Sequence, residues 1–350
     1  MSSPASERRT RRRLARERRA RRRRAGVALA AAVILTLLGL LIFGGSSHPR
    51  KRSARANGAS SSRRGSGAVN VVVSSVGQLP AAVQDAAAAP LPGAALLVGG
   101  LDSGETSVGD VVQIQAGVAT TVGALPIAVH DACASTADGA VYVFGGGQQV
   151  SFSQILKVTP AGRVEQAGSL PTPASDVACT TIAGVVYIVG GYTGQEPLRT
   201  ILAWRPGEQP RIVGTLPKPL RYAAIGPMGG DLLIAGGTSG VQASRDVYRF
   251  SPVSRTVRLF ARLPFPVTHA AGASLGAAML VIGGRGEATG SQKRSILAIS
   301  PAGSVTVAGA LPLALSDLAA VQDGQTLILA GGADRAGLTH REILAIALKH

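Results

Sequence analysis

LPKPLRYAAIGPMGGDLLIAGGTSGVQASRDVYRFSP, residues Leu216–Pro252, contains a Leu-Pro dipeptide followed by a Gly-Gly pair. The same two landmarks occur six times, always 19 residues apart from proline to first glycine (217 to 236 here). A spacing that is constant through six units indicates a repeat architecture. The prolines are Pro80, Pro126, Pro171, Pro217, Pro264 and Pro312, and the first glycines are Gly99, Gly145, Gly190, Gly236, Gly283 and Gly331.

Each unit has the pattern of four short strands. A stretch of small residues such as Ala87–Ala89 is followed by an apolar run that ends at the glycines, for example DLLIAGG. A polar loop of variable length then leads to a third segment such as DVYRFSP and, after a turn, to a fourth such as TVRLF. Short apolar runs bounded by turns predict strands. Four strands per unit, with no helical period between them, are typical of one β-propeller blade.

The two ends of the repeat predict how the ring closes. The last unit stops at His350 after its third strand, whereas Val69–Val76 precedes the first unit and resembles a fourth strand. We therefore expect the N-terminal strand to complete the last blade, which would leave no exposed sheet edge. The predicted fold is an all-β, six-bladed β-propeller over residues 68–350.

The repeat resembles the kelch repeat. Gly236-Gly237, Tyr248 and Phe250 stand where that repeat expects them, and the resemblance covers residues 69–350. Kelch blades commonly carry a tryptophan, but Trp204 is the only one in this chain. The arginine that often follows the kelch proline by three residues is replaced by Val83, Val129, Ala174, Leu220, Val267 and Leu315.

The N-terminal region predicts a membrane anchor. Residues 1–25 contain twelve arginines and two glutamates, and residues 26–43 (GVALAAAVILTLLGLLIF) carry no charge. An apolar run of this length behind a basic tail predicts a transmembrane signal anchor with a cytoplasmic N-terminus. Residues 44–67 have the composition of a flexible Ser/Gly/Arg linker. The propeller would then be extracytoplasmic, and a cleaved signal peptide is the alternative.

The basic charge lies outside the predicted propeller. Of the net charge of +17, the tail contributes 12 − 2 = +10 and the linker +6, which leaves about +1 for residues 68–350. A nucleic-acid-binding domain would carry basic charge on its folded surface. We therefore expect no nucleic-acid partner, and we predict a monomer without a cofactor.

Two cysteines are too few to form a disulfide framework. Cys133 follows its proline by seven residues and Cys179 by eight, and both columns hold mostly alanine in other units. We expect two small buried side chains that point to opposite faces of their strands.

One column breaks the apolar pattern and supplies the candidate ligand-binding residues. Five residues after the prolines stand Asp85, Asp131, Asp176, Tyr222, His269 and Asp317, and Arg221 adjoins the two exceptions. Equivalent positions in a ring of repeats should encircle its axis. The carboxylates could accept hydrogen bonds from backbone amides, bind a polar ligand or cation, or take part in catalysis. Repetition favours the first of these roles, and no metal site or catalytic residue is assigned.

The variable loops after the glycines favour recognition. Loops on a rigid scaffold usually carry binding residues. The first functional hypothesis is a membrane-anchored kelch-like propeller that binds protein or glycan without catalysis. The alternative is an exported carbohydrate-active enzyme of oxidase or sugar-epimerase type with its site at the propeller axis. The two cysteines and five histidines give no match to the copper site of galactose oxidase, and no residue-level match to sialic-acid epimerases is found.

Overall fold

The computed structural model describes residues 69–349, whose regular secondary structure consists of β-strands and contains no helix. Within these residues there is accordingly no helix that is long and apolar enough to span a membrane. The predicted tail (1–25), membrane segment (26–43) and linker (44–67) lie outside the described residues.

Twenty-four strands follow one another with short turns on one edge and longer loops on the other. They are β1 (Val71–Gln78), β2 (Ala87–Leu91), β3 (Ala94–Val98), β4 (Asp110–Gln115), β5 (Val118–Ala124), β6 (His130–Ala137), β7 (Ala140–Gly147), β8 (Gln154–Val158), β9 (Val164–Ser169), β10 (Ala178–Ile182), β11 (Val185–Val189), β12 (Thr200–Trp204), β13 (Arg211–Thr215), β14 (Ala224–Met228), β15 (Asp231–Ala235), β16 (Asp246–Ser251), β17 (Thr256–Arg262), β18 (Ala271–Leu275), β19 (Ala278–Ile282), β20 (Ser295–Ile299), β21 (Val305–Ala310), β22 (Ala319–Asp323), β23 (Thr326–Ala330) and β24 (Glu342–Leu348).

The strands form four four-stranded antiparallel sheets and one eight-stranded sheet of order β2-β3-β4-β5-β1-β24-β23-β22. In the large sheet, β1 pairs with β24 from Val71↔Leu348 to Gln78↔Glu342, as predicted for the N-terminal strand. A single parallel pair, Gln78↔Val118, joins its two halves. The innermost strands β2, β6, β10, β14, β18 and β22 contact one another in cyclic order. This arrangement is consistent with a propeller.

The Gly-Gly pairs join each sheet to the next. The Gly237 N–H donates to the carbonyl of Val267, three residues after the next proline, at 2.9 Å. Gly236 has a φ of +67°, and a Cβ there would overlap the same carbonyl oxygen. The joint recurs around the molecule, and Gly332 donates to Val83 at 2.8 Å, which links the last unit to the first. The constant proline-to-glycine spacing therefore reflects a repeated contact between neighbouring sheets.

Apolar clusters fill the spaces between neighbouring sheets. Trp204 is fully buried and makes edge contacts with Tyr142 and Phe144, at centroid distances of 4.8 and 5.2 Å. Burial of large aromatic side chains contributes strongly to packing between sheets. The innermost strands instead carry small residues such as Ala87 and Ala224, which allow the sheets to converge.

The expectation of two separate cysteine side chains is wrong, because Cys133 and Cys179 form a disulfide with a Cα–Cα distance of 5.7 Å. Cys133 lies on β6 and Cys179 on β10, the innermost strands of neighbouring sheets. Successive sheets pack face to face. A side chain on one face of β6 and a side chain on the opposite face of β10 therefore point into the same space between the two sheets. The one-residue difference between the two columns therefore permits the bond, a consequence that the sequence prediction missed.

Candidate functional site

The column of candidate residues forms a closed ring of main-chain hydrogen bonds. Each residue donates its backbone N–H to the carbonyl of the equivalent residue in the preceding unit, over 2.8 to 3.3 Å. Asp85 donates to Asp317, so the last unit is bonded to the first. We call this set the axial ring. Its members are Asp85, Asp131, Asp176, Tyr222, His269 and Asp317, and all have φ between 50° and 60°.

The left-handed backbone explains why aspartate predominates in this column. Asp and His adopt positive φ more readily than most residues, whereas bulky or β-branched residues do so at a cost. The carboxylates of three of the four aspartates accept hydrogen bonds from side chains. Asp131 accepts from Tyr222, Asp176 from Arg221 and Asp317 from Ser316, each through a side-chain donor. The hydrogen bonds that close the ring are made by main-chain atoms.

Four consecutive members of the axial ring form an acidic arc, in the order Asp317, Asp85, Asp131, Asp176. Burial raises the pKa of Asp85 well above its usual range, and the neighbouring carboxylates of Asp317 and Asp131 raise it further. Burial likewise raises the pKa of Asp131, and Asp176 adds to the effect. Like charges this close disfavour simultaneous ionisation, which adds to the effect of burial on the pKa values of Asp85 and Asp131.

Tyr222 and His269 occupy the other third of the axial ring. Their side-chain rings stack with centroids 3.7 Å apart and planes inclined by 23°. The Tyr222 hydroxyl donates to Oδ2 of Asp131 at 3.0 Å, across the cavity. Burial, followed by the carboxylate of Asp131, raises the pKa of Tyr222 strongly. The phenol is therefore held neutral as a hydrogen-bond donor.

His269 is held as a neutral imidazole of defined tautomer. Its Nε2 lies 3.0 Å from Nη2 of Arg285, and its Nδ1 lies 3.0 Å from Oγ1 of Thr268. Because arginine only donates, Nε2 must accept and the proton is assigned to Nδ1. Burial lowers the pKa of His269 to about 4, against an opposing effect of Asp317.

Two guanidinium groups flank the stacked pair. Arg221 forms an ion pair with the buried Asp176, and its guanidinium lies 4.1 Å from the centre of the Tyr192 ring. Arg285 reaches His269 from the loop that follows the Gly-Gly pair of the same unit, and it also donates to the carbonyl of Glu287 at 3.2 Å. One side of the site thus carries fixed cations and aromatic rings, and the other carries carboxyl groups. That polarity suits a ligand with several hydrogen-bonding groups.

A cavity of about 130 Å³ opens over the axial ring and is lined by its six members. The axis continues past alanine residues and the disulfide to a second cavity of about 190 Å³. Hydroxyl groups line this second cavity, where Oγ of Ser135 and Oγ1 of Thr181 are hydrogen-bonded at 2.7 Å. No group of three His, Cys, Asp or Glu side chains suited to hold a metal ion occurs among residues 69–349.

The structure brings all seven predicted site residues together, because Arg221 adjoins the ring through Asp176. It also adds Tyr192, and it gives Arg285, which the sequence places in a variable loop, a contact in the site. Both stand directly after a Gly-Gly pair, and each forms a backbone bridge with the residue that precedes a ring member. The column after the glycines was therefore a signal that could have identified them.

Comparisons with known proteins support the resemblance read from the repeat. Residues 173–209 match the Kelch motif. The solved structure of YjhT matches with a TM-score of 0.69 and 14% sequence identity, over 79% of this chain and 99% of that chain. A search of curated protein sequences gives no match. The motif and the structural similarity together confirm the predicted resemblance to kelch-repeat propellers.

Proposed function

We propose that this protein is a membrane-anchored, extracytoplasmic propeller of six blades, closed by β1, that binds protein or glycan without catalysis. It acts as a monomer, without nucleic acid or cofactor. The observation that carries the proposal is the asymmetry of the axial ring. Four positions keep aspartate, whereas Tyr222 and His269 bring a stacked pair flanked by Arg221 and Arg285. A ring with only a structural role would not need a different residue type at these two positions.

Preorganisation supports binding. The ring backbone is fixed by its own hydrogen bonds, and the side chains of Tyr222 and Arg221 are each held by a carboxylate of the axial ring. Rigid aromatic and polar groups lose little conformational entropy when a ligand binds. Neighbouring loops vary in sequence from unit to unit, which would extend the contact area beyond the small cavity.

Two features support an extracytoplasmic location. A disulfide between neighbouring sheets is typical of an oxidising compartment. In addition, Val71 pairs with Leu348, whereas Gln78 pairs with Glu342 beside the turn that leads to Asp85. The described chain therefore begins at the edge opposite the axial ring. A tether attached there would leave the ring accessible to partners.

The alternative, a carbohydrate-active enzyme, is favoured by one observation. The site holds groups whose pKa values are displaced in opposite directions, since those of the Asp85 and Asp131 carboxyl groups are raised and that of the His269 imidazole is lowered. Displaced pKa values mark acid–base sites as well as structural networks. Under this alternative, Asp131 would donate a proton and His269 would not, since its Nε2 is occupied by Arg285.

The test is binding of the full chain, in nonionic detergent, to an array of neutral, amino and acidic oligosaccharides and to immobilised envelope proteins. Tyr222→Asn and His269→Asn remove the stacked pair and keep residues that tolerate positive φ. We expect each variant to weaken binding by about tenfold or more, the loss of one well-made polar contact. Asp138→Asn, a left-handed position in a distant turn, is the control.

Two outcomes would count against the proposal. If binding persists in both variants at the affinity of the unmodified chain, the axial ring is not the recognition site. If a bound sugar changes its anomeric ratio or oxidation state during incubation, followed by NMR, the enzyme alternative replaces the binding module. Loss of that conversion in Asp131→Asn would then assign the proton donor.

A further inference from the structure

A separate cavity of about 290 Å³ lies between β11–β13 and the turn that follows β16. This cavity adjoins the C-terminal ends of β12 and β16, whereas the axial ring adjoins the loops that precede these strands. The cavity and the ring therefore lie at opposite ends of the strands. Its lining includes three arginines, Arg205, Arg211 and Arg255, together with Tyr187 and Ile212. We call it the arginine cleft.

The arginine cleft carries an uncompensated positive charge. Glu208 is the only acidic residue in its lining, so the formal charge is 3 − 1 = +2. Glu208 is already paired with Arg211, at 2.7 Å. Arg205 donates only to the carbonyl of Gly184, at 3.3 Å, and the Arg255 guanidinium has no hydrogen bond or ion pair within the described residues. Two guanidinium groups therefore remain available to an anion.

Tyr187 adds a neutral donor between these two arginines. Its side chain is buried, and its hydroxyl has no hydrogen-bond partner among residues 69–349. Burial raises the pKa of Tyr187, while Arg205 and Arg255 act in the opposite direction, so both cations lie within electrostatic reach of the phenol. Beside these polar groups, Ile212 is 62% exposed and supplies an apolar wall.

Arg255 occupies a left-handed position in the turn between β16 and β17. It has a φ of 55°, and its N–H closes the turn on Ser251. In three other third-to-fourth-strand turns, left-handed positions are occupied by Gly162, Gly303 and Ala116, with φ of 78°, 81° and 49°. A non-glycine residue in this conformation costs about 1 kcal/mol. The exposed Arg255 side chain has no internal partner, and it lines the cleft, where its guanidinium can reach a ligand.

We propose that the arginine cleft binds a phosphate-bearing ligand through Arg205, Arg255 and the Tyr187 hydroxyl, with the organic part of the ligand against Ile212. Guanidinium groups match phosphate oxygens in charge and in planar geometry, and two of them suit an anion with two charges. The cleft lies on the same edge as Val71, where the described chain begins. The phosphate could therefore belong to a lipid headgroup or to a soluble ester.

The experiment uses Trp204, which lines the cleft and is the only tryptophan of the chain. The full chain in nonionic micelles is titrated with glycerol 3-phosphate at constant ionic strength, and binding is measured directly by equilibrium dialysis with radiolabelled ester. In a second arm, micelles contain phosphatidylglycerol or, for comparison, phosphatidylcholine, and the Trp204 emission is followed. We expect a saturable response in one of the two arms.

Arg255→Gly is the informative variant, because glycine suits the turn and removes only the guanidinium. We expect it to weaken the response by about tenfold, and Arg205→Ala to do the same. Arg163→Ala is the matched control, since Arg163 follows the equivalent turn of another sheet and is paired with Glu165. A response to the soluble ester assigns a soluble ligand, and a response to phosphatidylglycerol alone assigns a lipid. Absence of saturable binding in both arms, or equal binding by Arg255→Gly, would overturn the proposal.

Discussion

Gly236 faces a carbonyl oxygen of the neighbouring sheet, and this contact rather than flexibility explains the glycine. Replacement by alanine would bring its Cβ into overlap with the Val267 oxygen. We expect Gly236→Ala to lower the free energy of unfolding by about 3 kcal/mol or more, because backbone cannot give way as a side chain can. Urea denaturation followed by circular dichroism measures the loss.

Gly229→Ala is the control for this prediction. Gly229 belongs to the same sheet and has a φ of +57°, but a Cβ there would meet no atom within 4 Å. It should therefore cost only about 1 kcal/mol, the cost of the left-handed conformation. Equal losses in the two variants would show that the contact with the next sheet is unimportant.

Asp85 predicts a pH-dependent stability. Its pKa is higher in the folded than in the unfolded chain, so the folded state retains a proton that the unfolded state releases above about pH 4. The contribution of this group to stability is therefore fully present below that pH and is lost as pH rises towards the folded pKa. Asp85→Asn keeps a side chain that tolerates positive φ and cannot ionise. We expect its Tm advantage over the unmodified chain to grow as pH rises above about 4, the unfolded pKa of an aspartate.

The same substitution at Asp138, which also has positive φ but lies in a surface turn, serves as the reference. His269 acts in the opposite sense, since its lowered pKa adds stability as pH rises from about 4 towards about 6.5. A pH-independent effect of Asp85→Asn would contradict the raised pKa of Asp85 in the folded chain.

At the scale of elements, the disulfide between β6 and β10 should stabilise the folded chain by about 4 kcal/mol, because it closes a loop of 46 residues in the unfolded chain. Alanine occupies the two cysteine columns in most other units, so the double variant Cys133→Ala/Cys179→Ala should fold. Its urea midpoint should match that of the unmodified chain under a thiol reductant. A midpoint that does not change on reduction would contradict this assignment.

The strands could be predicted from the sequence because every unit repeats the same apolar runs, and the predicted third segment DVYRFSP is β16. The disulfide could not, since a one-residue offset between Cys133 and Cys179 has meaning only when the sheets face each other. The sequence identified the axial ring as a column of mostly aspartate residues. It did not predict the main-chain hydrogen bonds that close the ring. Side-chain chemistry suggested amide-accepting carboxylates, whereas main-chain amides and carbonyls bond to each other. Arg285 was missed as a site residue because its partner His269 belongs to a different segment of the same unit.

At the scale of the whole molecule, β1 is the strand that connects the last unit to the rest of its sheet. It covers the edge of β24 from Val71 to Gln78. Removal of residues 71–78 would expose the N–H and C=O groups of β24, and exposed strand edges promote association between chains. We expect this deletion to cause concentration-dependent aggregation and to lower Tm, measured by light scattering and calorimetry.

The comparison is a chain that lacks residues 1–68 but retains β1. This chain should remain monodisperse and keep the Tm of the full chain's cooperative transition. If the two truncations behave alike, the pairing of β1 with β24 does not contribute to stability.

The axial ring has a consequence for how such a molecule can change during evolution. Its six hydrogen bonds involve only main-chain atoms, so no single side chain is needed to keep the ring closed. Any residue that accepts positive φ can occupy any of the six places without loss of the main-chain hydrogen bonds of the ring. Asp, Tyr and His already do so in this chain. The side chains of the ring can thus change while the main-chain scaffold is kept. A new ligand preference could therefore arise through single substitutions.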